Sequence, residues 1–467
     1  MIVQKFGGTS VEDAAAINAA IRIIERERSR TPLVVLSAIG GATNTLLGAA
    51  RVAQEGKYDE ATRALNDLLE RHVLILENLL DSRSRIQRLL LDIRRRFEEL
   101  KHLCQGIALL GELTDRSLDT VASYGERLST AILAETMDER GLPSVLIDAR
   151  TFMVTDDRFT AARPLFDEID ARLRETVAPH VSAGKIVVTQ GFIGSTRKGV
   201  TTTLGRGGSD YSASIIGAAL DAEEIQIWTD VDGVLTADPR ICPDARQLGV
   251  ISFREASELA YFGARVLHPS TILPAVRKNI PVRVLNSRRP DLPGTSITAN
   301  PPKSHVAVKS IASKKGITVI NIQSTRMLMA YGFLEKIFSV FNRHQTPVDL
   351  VTTSEVAVSV TIDNKDRLEE ITSDLSEVGE VAVYDHKGIV CIVGEQMHAT
   401  AGVADRVFRA LGDINVVMIS QGASEVNMSL VLDEKDVVEA VKRLHREFFP
   451  APAPGRVAEP VGHGVRS

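Results

Sequence analysis

Short runs of Val, Ile and Leu alternate with longer stretches of helical spacing through the first 290 or so residues. MIVQKF (1–6) and PLVVLSA (32–38) are apolar runs of strand length, each followed by a turn of glycine or small residues. Between them, VEDAAAINAAIRIIERERS (11–29) repeats apolar residues at helical intervals and ends in charges. Strand, helix, strand predicts a parallel sheet with crossover helices. KIVVTQGFIG (185–194), IQIWTDVDGV (225–234) and IPVRVLNS (280–287) repeat the strand-then-turn pattern with helical segments between them. Open α/β sheets bind ligands at such turns, beyond the carboxyl ends of the strands.

Residues 51–122 break this rhythm. The stretch from 59 to 103 carries Leu and Ile at i, i+3 and i+4 among dense charges, with no Gly or Pro. It predicts a helical hairpin or small bundle inserted into the sheet domain, with the charges as a solvated face. Pro, Gly, Ser and Asn crowd SRRPDLPGTSITANPPKSH (287–305), which marks a domain boundary at about residue 292. Beyond it, 331–363 and 401–433 align without a gap at an offset of 70, matching Gly332 to Gly402, Phe338 to Phe408, Ser354 to Ser424 and Asp363 to Asp433. Each copy reads as a turn, an amphipathic helix and two strands, so two small α+β modules are expected, over 306–380 and 381–449. The segment 450–467 is rich in Pro, Gly and Ala and is expected to be disordered.

Composition narrows the function class. The chain is 44% hydrophobic and 25% charged, with a formal charge of −5 from 55 basic and 60 acidic side chains. That balance supports neither a nucleic-acid surface nor a membrane surface. Cys104, Cys242 and Cys391 stand far apart with no CxxC pair, which argues against zinc and disulfides and fits a reducing cytoplasm. No apolar run approaches the ~20 residues of a membrane helix, and the first residues do not read as a signal peptide.

The turns carry the candidate chemistry. In VQKFGGTS (3–10), Lys5 precedes Gly7 and Gly8 at a strand end, with Thr9 and Ser10 available to cap a helix. Such a turn can cradle an anion, with Lys5 as a point charge beside a moving phosphoryl group; it equally suits a plain turn with an exposed lysine. SAIGGATN (37–44) is a second small-residue turn, readable as an ordinary βα loop. Glu126, in YGERLS (124–129), could meet an ammonium or form a helix-start salt bridge. TTTLGRGGSD (201–210) offers hydroxyls, mobile backbone, the planar fork of Arg206 and the carboxylate of Asp210; a polar turn with a surface ion pair is the alternative. WTDVDGVLTADPR (228–240) brings Thr229, Asp230, Asp232, Asp238 and Arg240 after another strand, without the glutamate a calcium loop needs. None of these turns carries a Ser-His-Asp, Cys-His or zinc arrangement, so phosphoryl transfer to a small acid is the chemistry expected.

In this order and at these intervals, KFGGTSV, YGERLS, TQGFIG, TTTLGRGGSDYSA, WTDVDGVLTADPR and FGARVLHPSTI (262–272) resemble the aspartokinases of the amino-acid-kinase family, over nearly all of residues 1–449. The repeat is similar to tandem ACT regulatory domains, and the inserted helices and TTSEVAVSV (352–360) resemble the monofunctional, lysine-inhibited branch. The resemblance implies an α/β fold: a three-layer amino-acid-kinase domain (1–292) with a mainly parallel central sheet and a helical insertion, then two ferredoxin-like ACT modules. It implies transfer of the ATP γ-phosphate to the β-carboxylate of L-aspartate, with Mg²⁺ on the nucleotide and no metal held by the protein alone. This reaction is the first step towards lysine, threonine and methionine.

By the same resemblance, Lys5, Gly7 and Gly8 face the phosphoryl group, and Lys5, Arg206 and Asp210 form the catalytic set. Thr43, Glu126, Arg206 and Asp210 hold aspartate, while Thr229, Asp230, Leu235, Arg240 and Arg265 face the nucleotide. Leu235 stands where many relatives carry an aromatic residue, and Arg265 where a lysine is common. An effector amino acid, lysine before threonine, is expected at Met327, Ala330, Gly332, Phe333, Leu334, Val348, Asp349, Ser354 and Glu355, although lysine-binding relatives often have serine in place of Ala330. A homodimer or dimer of dimers through the ACT modules is implied, in the cytoplasm. A kinase for glutamate or N-acetylglutamate and a catalytically silent amino-acid sensor are the rival readings. No GxGxxG turn follows the second module, so a fused dehydrogenase is not expected.

Overall fold

The computed structural model describes residues 1–263, 269–302, 307–324, 331–395, 397 and 399–450. The chain divides into two compact units: residues 1–234, 249–253 and 266–301 form the first, and 235–248, 254–265 and 302 onward the second.

The first unit is built on strands β1 (Ile2–Phe6), β2 (Pro32–Leu36), β3 (Ser144–Ile147), β5 (Ile186–Gln190), β8 (Glu224–Thr229), β9 (Val250–Ser252), β10 (Val282–Asn286) and β11 (Thr295–Thr298). They lie in the order β3-β5-β2-β1-β8-β10-β11-β9. Every pair is parallel except β10 with β11. The chain moves from β1 to β2 on one side and adds β8 on the other, so the order reverses at β1, where such sheets bind ligands. β1, β2 and β5 are buried at every position, as strands covered on both faces must be.

Helices lie on both faces. On one, α1 (Ala14–Arg26), α2 (Ala42–Gln54), α3 (Tyr58–Leu79), α4 (Arg83–Leu110) and α6 (Tyr124–Glu139) share a core with Phe6, Leu36, Val188 and Trp228. Phe6 and Trp228, neighbours on β1 and β8, stack at 6.1 Å. On the other face, α9 (Gly208–Ala219) lies so close to β8 that a side chain at Gly217 would strike Ile225. Between these helices come α5 (Asp115–Ala122), α7 (Phe166–Thr176) and α8 (Ala178–Ser182).

The expected insertion is the long pair α3 and α4. Leu65, Leu68, His72, Ile75, Leu76 and Leu79 bury one stripe of α3, and Leu89, Ile93, Phe97, Leu100, Cys104 and Ile107 one stripe of α4. Each such fully buried side chain contributes roughly 1.5–3 kcal/mol, so the pair widens the domain core and is not a separate bundle.

Three local expectations change. The helix after KFGG is capped by Asp13, whose side chain accepts from the Ala16 amide at 2.8 Å. Thr9 and Ser10 fall instead in a 3₁₀ turn, Gly8–Ser10, and the Ser10 hydroxyl reaches the Trp228 carbonyl and Ser287. KIVVTQGFIG is two strands, β5 and β6 (Ile193–Thr196). The threonines of TTTLGRGGSD form the buried strand β7 (Thr201–Thr203), in a small sheet with β6 and β4 (Val154–Thr155).

The second unit has one six-stranded antiparallel sheet. Its strands are β12 (Ser310–Gln323), β13 (Val351–Thr353), β14 (Ala357–Ile362), β15 (Glu380–Val393), β16 (Val416–Gln421) and β17 (Asn427–Asp433), in the order β13-β14-β12-β15-β17-β16. Helices α12 (Phe333–Arg343), α13 (Leu368–Ser376), α14 (Val403–Leu411) and α15 (Val437–Phe448) cover it; α10 (Phe253–Tyr261) joins this unit from Arg254 on, and α11 (Leu273–Lys278) belongs to the first unit.

 Residues 254–263, which include all of α10 after Phe253, thus pack with this unit although they precede its main segment by some forty residues in the sequence.

Two cores fill the unit. One gathers Ile320, Ile322, Phe333, Ile337, Phe341, Val358, Val360, Ile371 and Leu375. The other gathers Val308, Ile311, Val390, Ile392, Val403, Val407, Leu430, Leu432, Val441 and Leu444, together with Ala237 and Cys242. The cores therefore do not follow the expected cut at 380/381. The first half of β12, Ser310 to Lys315, pairs with the second half of β15, Gly388 to Val393, and the remaining halves pair with each other beyond a bulge. Each module completes its sheet with half of a strand from the other, so the first module's sequence is inserted within the second. The first unit likewise does not run unbroken over the expected catalytic range 1–292, because 235–248 and 254–263 belong to the second unit. The expectation of a disordered end at 450–467 lies, but for Pro450, outside the described residues. No described helix is long and apolar enough to cross a membrane.

Candidate active site

At the carboxyl ends of β1 and β2 the first unit opens a cavity of about 620 Å³. Its wall includes Lys5 and Gly8 after β1, Ser37 to Gly41 after β2, Thr43 and Asn44 on α2, Asp119 on α5, Glu126 on α6, and Gly205 to Asp210 leading into α9. The 3₁₀ turn at Gly8 and the N-termini of α2 and α9 all reach this wall. Helix N-termini present unpaired N–H groups and partial positive charge, so the cavity is electrostatically suited to anions.

Close packing sets the approach of α9. A β-carbon at Gly191 would lie 2.7 Å from that of Ser209, and one at Gly208 2.7 Å from the Phe192 ring. Only glycine lets the end of β5 and the start of α9 meet in this way, and the contact aims the first turn of α9 at β1. Lys5 Nζ then lies 2.7 Å from Asp210 Oδ1, with both side chains largely buried. Two motifs two hundred residues apart in sequence thus meet in one ion pair.

Glu126 is 3% exposed. Its Oε1 accepts the Ala38 amide at 3.2 Å, while Oε2 has no partner among the described residues. Desolvation pushes its carboxyl up to about 8, against the pull of the Ala38 N–H. A buried carboxyl with a free oxygen on a cavity wall is a receptor for a cation. Arg206 is exposed on the same wall.

The cavity thus brings together Lys5, Gly8, Thr43, Glu126, Arg206 and Asp210. Gly7 is off its wall, and its amide is spent on the Trp228 carbonyl at 3.0 Å. Thr229 ends β8, beside β1, and Asp230 follows it; the Thr229 hydroxyl donates to Asp230 at 3.2 Å, and the Thr229 carbonyl accepts the Ser287 amide. Leu235 and Arg240 belong to the second unit, where Arg240 is exposed and held by Asp238 at 2.6 Å. Arg265 lies outside the described residues.

Of the effector positions, Met327 and Ala330 also lie outside the described residues. Gly332 caps α12, the Phe333 side chain enters the first module's core, Leu334 is exposed and Val348 half-buried. The Ser354 hydroxyl accepts the Ala357 amide, and Glu355 is exposed. The Asp349 carboxylate is occupied by Lys314 at 3.1 Å and by the Tyr261 hydroxyl at 2.8 Å.

Sequence reading missed Asp119, Thr160, Phe192 and Thr203 on the cavity wall. No turn motif contains Asp119, Thr160 or Phe192 as a polar candidate, and Thr203 read as turn. Elsewhere, Cys242, Asp244 and His445 bring ligand-type atoms within 4.8 Å of one another. There the His445 ring nitrogen Nε2 lies 2.9 Å from the Thr236 hydroxyl, and burial pushes the Cys242 thiol up to about 11.

Residues 1–286 match the amino acid kinase family, and residues 390–448 match the ACT domain, a match that begins within β15. Lysine-sensitive aspartokinase 3 of Escherichia coli (strain K12) is 38% identical, over 96% of this chain and 99% of that protein. Chloroplastic aspartokinase 3 of Arabidopsis thaliana is 38% identical, over 99% and 84%. Among solved structures, E. coli aspartokinase III in complex with aspartate and ADP (R-state) superposes with a TM-score of 0.85, at 36% identity over 96% of this chain and 100% of that one. The same enzyme in complex with lysine and aspartate (T-state) gives 0.79, over 96% and 99%. Matched over nearly its whole length in sequence and in fold, the chain belongs to the aspartokinases of the amino acid kinase family.

Proposed function

We propose that this aspartokinase holds L-aspartate in the cavity and transfers the ATP γ-phosphoryl group to its β-carboxylate, giving 4-phospho-L-aspartate. One observation carries the reading: Lys5, Glu126, Arg206 and Asp210, from three separate segments, converge on a single anion-favouring cavity. A carboxylate nucleophile is already ionised at pH 7, so the reaction needs no general base. It needs two anions brought together in line and their charge offset. Lys5 stabilises the moving phosphoryl group and Gly8 lines its oxygens, while Asp210 fixes the direction of the lysine ammonium. Arg206 grips the α-carboxylate, and the free oxygen of Glu126 takes the ammonium, with Thr43 beside them. Thr229 and Asp230, and by family likeness Leu235, Arg240 and Arg265, face the nucleotide.

Mg²⁺ enters with ATP. Asp210 is engaged by Lys5, and Asp119 by backbone and hydroxyl donors. The phosphates would therefore supply most of the ion's oxygens, as is usual for this ion, and it would neutralise charge on the nucleotide.

The relative's sensitivity to lysine supports lysine as effector, with threonine as the alternative. Its ammonium would compete with Lys314 for Asp349, at an interface between the ACT modules of two chains. The free, buried state of Cys104, Cys242 and Cys391 supports a cytoplasmic location.

Incubation with ATP, Mg²⁺, aspartate and hydroxylamine should yield aspartyl hydroxamate; absence of that product, or equal turnover of glutamate, overturns the reading. Arg206→Ala should raise the KM for aspartate at least tenfold, and an unchanged KM would remove Arg206 from the pocket.

A further inference from the structure

We propose that Asp119, outside every sequence motif above, is a positioning residue that holds the Leu204–Gly208 turn in the shape the aspartate pocket requires. The inference rests on the reading of this cavity as the acceptor site.

Asp119 sits in α5 and is 1% exposed. Both of its carboxylate oxygens accept the Thr160 amide at 3.0 Å; Oδ2 also accepts the Thr203 amide at 2.9 Å, and Oδ1 the Thr203 hydroxyl at 2.6 Å. It forms no ion pair among the described residues. One buried carboxylate therefore ties two segments together, the turn around Thr160 and the last residue of β7, and its acceptor capacity is spent on doing so.

Those two segments adjoin the pocket turn directly. The Ala162 amide donates to the Thr203 carbonyl at 2.9 Å. A β-carbon at Gly205 would lie 3.1 Å from the Thr160 carbonyl oxygen, so the Thr160 turn is packed against the residue preceding Arg206. Thr160 itself has φ +67°, a conformation that a β-branched residue adopts only when its surroundings impose it. Phe192, also at φ +67°, lies against the same turn from another side: its carbonyl accepts the Leu204 amide at 2.9 Å, and its amide donates to Ser212 on α9 at 3.0 Å. Both strained residues line the cavity. Strain of this kind persists where the surroundings over-determine it, and at Thr160 the Asp119 carboxylate is the group that does so.

The test is steady-state kinetics of the full-length enzyme for Asp119→Asn, Arg206→Ala, the double variant, Thr203→Val and Thr203→Ser. Asp119→Asn removes one acceptor and turns an amide towards donors. It should raise the KM for aspartate at least tenfold while the KM for ATP stays within twofold. In the Arg206→Ala background the same change should add less than threefold, because the turn then has no guanidinium to aim. Thr203→Val should reproduce the selective rise in part, and Thr203→Ser, which keeps the hydroxyl, should recover most of it. Should Asp119→Asn fail to fold by circular dichroism, the Thr203 pair carries the same comparison. Equal rises in both KM values, or a full multiplicative effect in the double variant where Arg206→Ala itself raises the KM for aspartate, would overturn positioning. An unchanged aspartate KM for Arg206→Ala alone would instead strike the assignment of Arg206, while a selective Asp119→Asn effect on aspartate would still uphold the role of Asp119.

Discussion

Lys5 and Asp210 stand 2.7 Å apart in a largely buried pair. Lys5→Ala removes the cation beside the transferring group and should lower kcat a hundredfold or more, in line with the roughly 3–4 kcal/mol of one lost electrostatic stabiliser. A kcat within threefold of the parent enzyme would deny Lys5 that role. Glu126 yields a prediction in pH. With its carboxyl raised to about 8, it is neutral in the free enzyme at pH 7, and binding an ammonium must expel the proton. The KM for aspartate should therefore fall as pH rises from 6.5, by up to about tenfold per unit, and level off above 8. Glu126→Gln should raise that KM and remove the slope; a flat profile in the parent enzyme sinks the assignment. For stability the sign is opposite. The folded chain binds this proton between 4.5 and about 8 where the unfolded chain does not, so the contribution of Glu126 is lost as pH rises through that window. At this scale the sequence named Lys5, Arg206 and Asp210, because glycine-rich turns after strands advertise chemistry, and Glu126, on helix α6, from the YGERLS motif. It was silent on Asp119, whose role depends on backbone amides brought from residues 160 and 203.

Among the elements, strands of the parallel sheet were legible because both faces are buried and their apolar runs are continuous. Strand β7 was not: Thr201, Thr202 and Thr203 are polar in composition yet buried, since their hydroxyls find Arg150, Thr155 and Asp119. The entry to β12 shows a second polar burial. Lys309 and Glu255 are 2% and 0% exposed and lie 3.0 Å apart. Lys309→Met removes the ammonium that Glu255 and Glu395 share and should cost about 3–5 kcal/mol. Urea unfolding of the full chain measures this, and a loss below about 1 kcal/mol would show that the buried pair adds little net stability.

For the whole molecule, two units arise from a chain that crosses between them more than once. Ala237 and Cys242 lie in the same core as Val390, Ile392 and Leu444. A chain ending at Pro301 should therefore lose both feedback by the effector and thermal stability, since it leaves the apolar residues of 235–248 without their core. Titration with lysine and a thermal melt check the two halves; retained inhibition would place the effector site elsewhere, and an unchanged melting temperature would show that 235–248 needs no partner from the second unit. The sequence by itself determined the α/β class, the helical insertion, the duplicated modules and the turns that bear the charged residues, because hydrophobic period and glycine-rich punctuation are local properties. Tertiary structure alone decided that KFGG and GRGGSD share one ion pair, that the two regulatory modules exchange halves of their strands, and that Asp119 is tied to the pocket turn. Each of these depends on groups hundreds or tens of residues apart meeting within hydrogen-bond reach, and no local pattern encodes that distance.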